Sequence, residues 1–439
     1  MENGNHPQSK KARPGLKLLL IAGLCVAFLI PQLLLKNLVS ERKSTERAAE
    51  SEVFEKWAGP QTVTGPLIKV DYSWIEGKDG EKACRTKIIL PEQLEVKGHV
   101  KTKTLKRGIY DFTVYETSLD LKGQLKLPKD FEKMQEEREW HFEKAKIVVG
   151  LPKLRGLSDN VTLQLNGTSY DMVAETETLK GLCCEVDLSR LLEGETFEFS
   201  LVLPFKGAGN LMFTPVGQTT MVHLTSDCVT PSFNGYYLPD ERQVSDTGFQ
   251  AEWKVLAINR DYPQVLDASF VGSYEYSRSD FNNSTFGVEL KVPVEQYQQT
   301  DRAIKYAFLI ILLTFAAVFF IEMRKATPIH PVQYLLVGIA LIVFYTLLLS
   351  FSEHLTFGLS YLIASVMTIG LIVTFMASIT KDRKTALGIG LLLAVLYAFI
   401  YVLLQLESYA LLVGSIGLFI ILGIAMFASQ KIEWYKKKE

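Results

Sequence analysis

The sequence predicts a membrane protein of mixed class: six transmembrane α-helices, one N-terminal and five C-terminal, with a large antiparallel β-rich extracytoplasmic domain between them. Three observations carry this expectation. The last third of the chain holds five apolar segments, Tyr306–Ile321, Val332–Phe351, Leu355–Ile379, Ala386–Leu406 and Tyr409–Ser429, with no Asp, Glu, Lys or Arg inside any of them. A sixth apolar stretch, Leu16–Leu35, lies near the N-terminus. The intervening residues change to a period-two pattern of apolar and polar side chains. A helix of roughly 20 apolar residues spans the hydrocarbon core of a bilayer, whereas a long helix of a soluble protein carries a polar face.

The links between the C-terminal helices set the orientation. Lys and Arg of short loops stay in the cytoplasm. The links after the first and third of the five helices are basic (Arg324, Lys325; Lys381, Arg383, Lys384), as is the tail (Lys431, Lys436, Lys437, Lys438). The second and fourth links, Ser352–His354 and Glu407–Ser408, carry no Lys or Arg. The alternation places the two short links outside and the C-terminus inside, with Trp434 and Tyr435 as interfacial anchors. Lys10, Lys11 and Arg13 place the N-terminus inside as well. The Leu16–Leu35 span has no small-residue cleavage site after it, which favours an anchor over a removed signal peptide. Lys17 at its inner end has a stem long enough to snorkel to the interface. The expected organisation is therefore a cytoplasmic tail (1–15), the first span (16–35), an external β-rich domain with an N-terminal helical stalk (36–302), a five-helix bundle (303–429) and a cytoplasmic tail (430–439).

The stalk is Ser40–Trp57, which is densely charged and free of Gly and Pro. Beyond it, segments such as LEVKGHV, LDLKGQL, VTLQLNG and TFEFSLVL alternate apolar with polar residues. Turn residues including Gly77, Gly80, Asn166-Gly167 and Asn234-Gly235 separate them, which is the signature of half-buried strands. A helical turn is expected at Asp130–Arg138. Of the five cysteines, Cys25 lies in the first span and Cys84, Cys183, Cys184 and Cys228 in the β domain. Adjacent Cys183 and Cys184 point to opposite faces of a strand and do not suit a mutual bridge. A bridge from one of them to Cys84 or Cys228, or four buried thiols, both fit the spacing.

The stretches GPQTVTGPLIKV (Gly59–Val70), TPSFNGYYLPDERQVSDTGFQAEWKVLAINRDYPQ (Thr230–Gln264), FGVELKVPVEQYQQTDRAIKYA (Phe286–Ala307), HPVQYLLVGIALIVFYTLLLSFSEH (His330–His354) and ESYALLVGS (Glu407–Ser415) occur in this order around the one-plus-five layout. In these features the chain resembles the CreD family of bacterial inner-membrane, cell-envelope-integrity proteins. The resemblance implies an external domain in the periplasm. It also implies a link to envelope integrity and to regulation by a carbon-source-responsive two-component system. It carries over no catalytic residue.

No HExxH, GxSxG, Walker A or Rossmann fingerprint is present, and no Cys/His spacing suits a metal. The expectation is a non-enzyme with no cofactor, no catalytic residue and no metal. A net charge near zero gives no bulk attraction to nucleic acid. The expected partners are the lipid bilayer and an unidentified envelope protein. Two residue groups remain as a possible functional surface. Ser232–Gln243 packs Phe233, Tyr236 and Tyr237 with three charged residues between strands, which suits either a binding loop or a cap on the β core. Glu353, His354 and Glu407 come from the two external links and suit either a metal or proton site or ordinary solvated charges. Arg260 and Asp261 read as an ion pair in a polar turn. The competing functional readings are a transporter, disfavoured by a bundle without buried charge, and a lipid- or glycan-handling enzyme without a legible motif.

Overall fold

The computed structural model describes residues 14–76, 81–131, 138–176, 179–272, 280–290, 296–325, 329–406 and 409–430. Several expectations fall outside these residues: the basic N-terminal residues, Gly77 and Gly80, most of the Asp130–Arg138 turn, Glu407 with Ser408, and Trp434 with Tyr435. The chain forms two compact units, Met1–Thr45 with Val294–Glu439, and Glu46–Pro293.

The first unit is helical. Its elements are α1 (Pro14–Ala27), α2 (Leu29–Lys56, which continues into the second unit), α3 (Gln296–Lys305), α4 (Ala307–Lys325), α5 (Pro331–Ser352), α6 (Phe357–Thr380), α7 (Arg383–Gln405) and α8 (Ala410–Gln430). Among the described residues four helices are long and apolar enough to cross a membrane: Lys17–Lys56, Pro331–Ser352, Phe357–Thr380 and Arg383–Gln405. The α3–α4 pair meets the same criterion only as one span bent by 41°. The helix ends follow ordinary capping rules. His330 caps α5, its Nδ1 accepting from Val332 N at 3.3 Å while Gln333 Oε1 accepts from His330 N at 2.9 Å, with Pro331 at the first helical position. Asp382 caps α7 by accepting from Lys384 N at 3.0 Å.

Helix packing rests on aromatic and small residues. Phe28, at the junction of α1 and α2, sits edge-on to Phe315 at 6.0 Å. Gly338 admits it, since a Cβ there would lie 2.2 Å from the Phe28 ring. Phe344 packs against Tyr345, Tyr361 and Tyr397 at 4.9, 5.4 and 4.6 Å. The hydroxyls of Thr314, Ser360 and Thr374 donate to carbonyls of their own helices, the usual local bond of a helical Ser or Thr.

Lys17 departs from the expected snorkelling position. Its ammonium does not snorkel outward but pairs with the Glu322 carboxylate and donates to Ile329 O at 2.7 Å. Glu322 also accepts from Tyr334 OH at 2.8 Å and from Ile329 N at 3.0 Å. The helical unit therefore does contain a buried charge, one residue beyond the apolar run that ends at Ile321. It is fully paired, as a buried carboxylate in a low-dielectric setting requires.

Among the described residues the second unit carries eighteen strands. They are β1 (Gln61–Glu76), β2 (Glu81–Ile89), β3 (Gln93–Arg107), β4 (Tyr110–Leu125), β5 (Glu139–Trp140) and β6 (Ala145–Gly150); then β7 (Thr162–Leu165), β8 (Thr168–Asp171), β9 (Val173–Glu175), β10 (Gly181–Val186), β11 (Phe197–Ala208) and β12 (Asn210–Phe213); and last β13 (Thr219–Ser226), β14 (Pro231–Gly235), β15 (Glu241–Ser245), β16 (Gly248–Leu256), β17 (Val265–Asp267) and β18 (Phe286–Leu290). One sheet runs β14-β18-β12-β1-β6-β10-β9, with β2, β5 and β17 branching from it. The other runs β15-β16-β13-β3-β4-β11-β7-β8.

The sheets are mixed rather than antiparallel. β1 pairs parallel with β12 (Gln61 opposite Leu211), and β13 pairs parallel with β3 (Thr219 opposite Gln93). Both parallel pairs arise because the chain crosses between sheets before pairing, which a hairpin cannot do. The alternation itself is as expected. On β11 the buried Phe197, Phe199, Leu201, Leu203 and Phe205 alternate with more exposed residues, and they join Val222, Leu224, Trp253 and Phe286 in one core. β1 has a register break between Thr64 and Leu67. Gly65 there has φ +108°, and a Cβ would meet Val148 O at 2.8 Å, so only glycine fits.

The two crossings are locked by one buried motif. Residues 214–218 carry the chain from β12 to β13, and residues 90–92 from β2 to β3. The Arg260 guanidinium donates to Pro215 O at 3.1 Å and Val216 O at 2.7 Å, and also to Gln264 Oε1. Gln264 Nε2 in turn donates to Leu90 O and Pro91 O at 2.8 and 2.7 Å, and Tyr262 OH donates to Pro215 O at 2.7 Å. Arg260 is thus buried against main-chain carbonyls, not paired with the exposed Asp261 as its sequence neighbourhood suggested. Four of the five tryptophans, Trp57, Trp74, Trp140 and Trp253, lie in this unit, so fluorescence of the whole protein follows its unfolding. Arg260→Ala is expected to lower the unfolding free energy in urea by about 3 kcal/mol, because charged hydrogen bonds are lost and buried carbonyls are left bare. Asp261→Asn should change it by less than about 0.5 kcal/mol. Equal effects of the two would show that Arg260 is not the clamp.

Candidate recognition surface

The Ser232–Gln243 segment joins the edges of the two sheets, from β14 in one to β15 in the other. Gly235 makes the exit from β14 possible: its φ is +108°, and a Cβ would stand 2.3 Å from Thr285 O. Phe233 turns inward. Its ring lies edge-on to Phe249 at 5.4 Å and Trp253 at 5.9 Å, and the Arg242 guanidinium covers it at 5.9 Å. Tyr237 also turns inward, edge-on to Phe286 at 6.0 Å, with its hydroxyl donating to Asn259 O at 2.7 Å. Tyr236 is 62% exposed and Leu238 65% exposed. The segment is therefore a cap on the core that also displays two large side chains, Tyr236 and Leu238, to solvent.

Glu353 and His354 lie in the helical unit, at the end of α5. Glu353 pairs with Arg42 at 3.4 Å. His354 is exposed, and its main-chain N–H donates to Phe351 O at 3.0 Å. Among the described residues no group of three or more His, Cys, Asp or Glu side chains is placed to hold a metal. The five cysteines are free thiols. Cys183 and Cys184 lie on opposite faces of β10 and are both buried, and Cys84 is exposed. Burial pushes the Cys184 thiol up to about 12, which removes it from thiolate chemistry.

A feature that the sequence reading did not single out is a groove of about 540 Å³ on the solvent face of the eight-stranded sheet. Two cross-strand rows build it. Gln93, Gln124 and Glu198 stand opposite one another on β3, β4 and β11. Met221, Glu95, Lys122, Ser200 and Gln164 form the next row across β13, β3, β4, β11 and β7. Gln164 Nε2 donates to Ser169 Oγ at 2.7 Å, and Glu95 pairs with Lys97 and faces His223 at 3.9 Å. Carboxamides, a hydroxyl, an ammonium and carboxylates thus share one surface. Such a surface offers hydrogen bonds in both directions. The signal in the sequence was only the polar half of each alternating strand, which reads as an ordinary wet face.

A helical unit with membrane-length apolar helices, joined to a large mixed β unit, defines a polytopic membrane protein, and comparison supplies its family: the chain belongs to the CreD family, described as inner membrane protein CreD, the match spanning residues 13–435. It is 31% identical over 433 residues to the inner membrane protein CreD of Escherichia coli (strain K12), with 95% of this chain and 93% of that relative covered.

Burial raises the Tyr237 phenol to about 12, its largest cause, with the neighbouring Tyr262 adding to it. An unfolded tyrosine titrates near pH 10. The folded state thus favours the neutral phenol, and the stability this contributes is full below about pH 10 and is lost as pH rises toward 12. The urea midpoint followed by tryptophan fluorescence should fall across that window. Tyr237→Phe should flatten part of the fall while lowering the midpoint at neutral pH through loss of the bond to Asn259. An unchanged alkaline slope in the variant would show that the phenol is open to solvent.

Proposed function

We propose that this chain is a non-catalytic inner-membrane protein that supports the integrity of the cell envelope. In this reading six spans hold the β unit in the periplasm, both termini are cytoplasmic, and the β unit recognises an envelope component. The observation that carries the reading is the groove on the eight-stranded sheet. It is a wide polar face lined by carboxamide, hydroxyl and charged side chains, built mostly on strands with the Asn166-Gly167 turn at its rim, and suited to a hydrogen-bonding ligand. Supporting it are the family's inner-membrane character and the size of the β unit, which is the largest part of the chain outside the apolar helices. The exposed Tyr236 beside Leu238 supplies a second point of contact, of the kind used against a protein partner. A transporter would route its substrate through ionisable groups in the helices; Glu322 is such a group, but Lys17, Tyr334 and Ile329 occupy it.

Deleting the gene should sensitise cells to detergent, and the wild-type protein should restore resistance. Glu353→Gln and His354→Ala should rescue fully. Lys122→Ala combined with Gln124→Ala and Gln164→Ala should rescue poorly at normal protein levels, and removal of Gly59–Gln299 should abolish rescue. Full rescue by the groove variant would refute the assignment of recognition to that face, and loss of rescue in the Glu353 or His354 variants would move the function to the helical unit.

A further inference from the structure

The groove on the eight-stranded sheet carries charges as well as carboxamides, and the charges narrow its ligand. Lys122 on β4 and Glu198 on β11 are exposed in its lining, and neither has an ion-pair partner among the described residues. Glu95 stands directly opposite Lys122, but its carboxylate is held by Lys97. The residue opposite Glu198 is the uncharged Gln124. One ammonium and one carboxylate are therefore left to a ligand.

The strand register fixes their separation. Lys122 is opposite Ser200, and Glu198 lies two residues before Ser200 on the same face of β11. Lys122 and Glu198 are thus diagonal neighbours, about 7 Å apart. A free α-amino acid carries both of its charges on one carbon atom, too close together to meet both partners. The termini of an extended dipeptide or tripeptide stand about 7 to 10 Å apart. The amides between those termini match the carboxamides of Gln93 and Gln124, which donate and accept at once. A groove of about 540 Å³ holds a ligand of this size. A neutral saccharide would leave both charges without a counterpart, and a polymer of one charge sign would meet one of them as a like charge.

We propose that the groove binds a short peptide in its zwitterionic form, with the peptide carboxylate on Lys122 and its ammonium on Glu198. The proposal rests on the reading of this face as the recognition surface. The test uses the full-length protein in nonionic detergent, with trialanine as the probe and binding read by isothermal titration calorimetry. Trialanine should bind, and its N-acetylated, C-amidated form should bind about tenfold more weakly. Lys122→Glu and Glu198→Lys should each weaken trialanine binding by about tenfold with an unchanged circular dichroism spectrum. The two substitutions together should restore it to within about threefold, because the peptide can then lie in the reverse direction. No binding of trialanine, equal binding of the capped peptide, or tighter binding of chitotetraose would each overturn the proposal. Absence of trialanine binding together with loss of cellular rescue by the groove variant would overturn the peptide and keep the recognition face. Trialanine binding together with full rescue by that variant would uphold the peptide and remove the face's role in the envelope.

Discussion

Inside a bilayer no water is present to take an unpaired N–H or C=O, and this constraint sorts the chain into its two units. Where the side chains are uniformly apolar, only helices satisfy the main chain, and the chain forms α1, α5, α6 and α7. Where polar and apolar residues alternate, one face is left for water, and the chain forms sheets whose inner faces close on one another. The few polar groups held among the apolar helices obey the same constraint. Lys17 and Glu322 are each other's partner, and Tyr334 and Ile329 complete the carboxylate's shell.

In the β unit the corresponding constraint is the crossing between sheets. A chain that leaves one sheet for the other must carry its carbonyls through the interior, where each needs a donor. Arg260 and Gln264 provide those donors to Pro215, Val216, Leu90 and Pro91. With both crossings pinned, β3 and β13 lie side by side in parallel, and the strands that build the groove keep their register. The polar face of the groove therefore depends on a buried arginine that never reaches it.

Much of this was legible in the sequence, and the reasons for the remainder are physical. Periodicity identified the apolar helices and the strand-rich middle, because burial on all sides and burial on one side leave different repeats. It did not identify strand partners: β1 alternates in the same way beside antiparallel β6 and parallel β12, so the mixed character of the sheets was invisible. Arg260 next to Asp261 reads as a surface pair, since nothing local reveals that its targets are carbonyls more than forty residues away. Glu322 lay one residue past an apolar run and read as part of a link. Of the expected surface residues, Phe233 and Tyr237 are anchors and Tyr236 is displayed, a division that a run of aromatics cannot disclose. The groove was the least legible feature, because its residues are spread over five strands.

The arrangement of cysteines provides a direct test of the claim that the β unit stands outside the inner membrane. Cys84 is exposed on β2, whereas Cys25, Cys183, Cys184 and Cys228 are buried. A membrane-impermeant maleimide added to intact spheroplasts should label the wild-type protein at Cys84 and leave Cys84→Ser unlabelled. Labelling of Cys84 only after the inner membrane is disrupted would place the β unit in the cytoplasm and contradict the account.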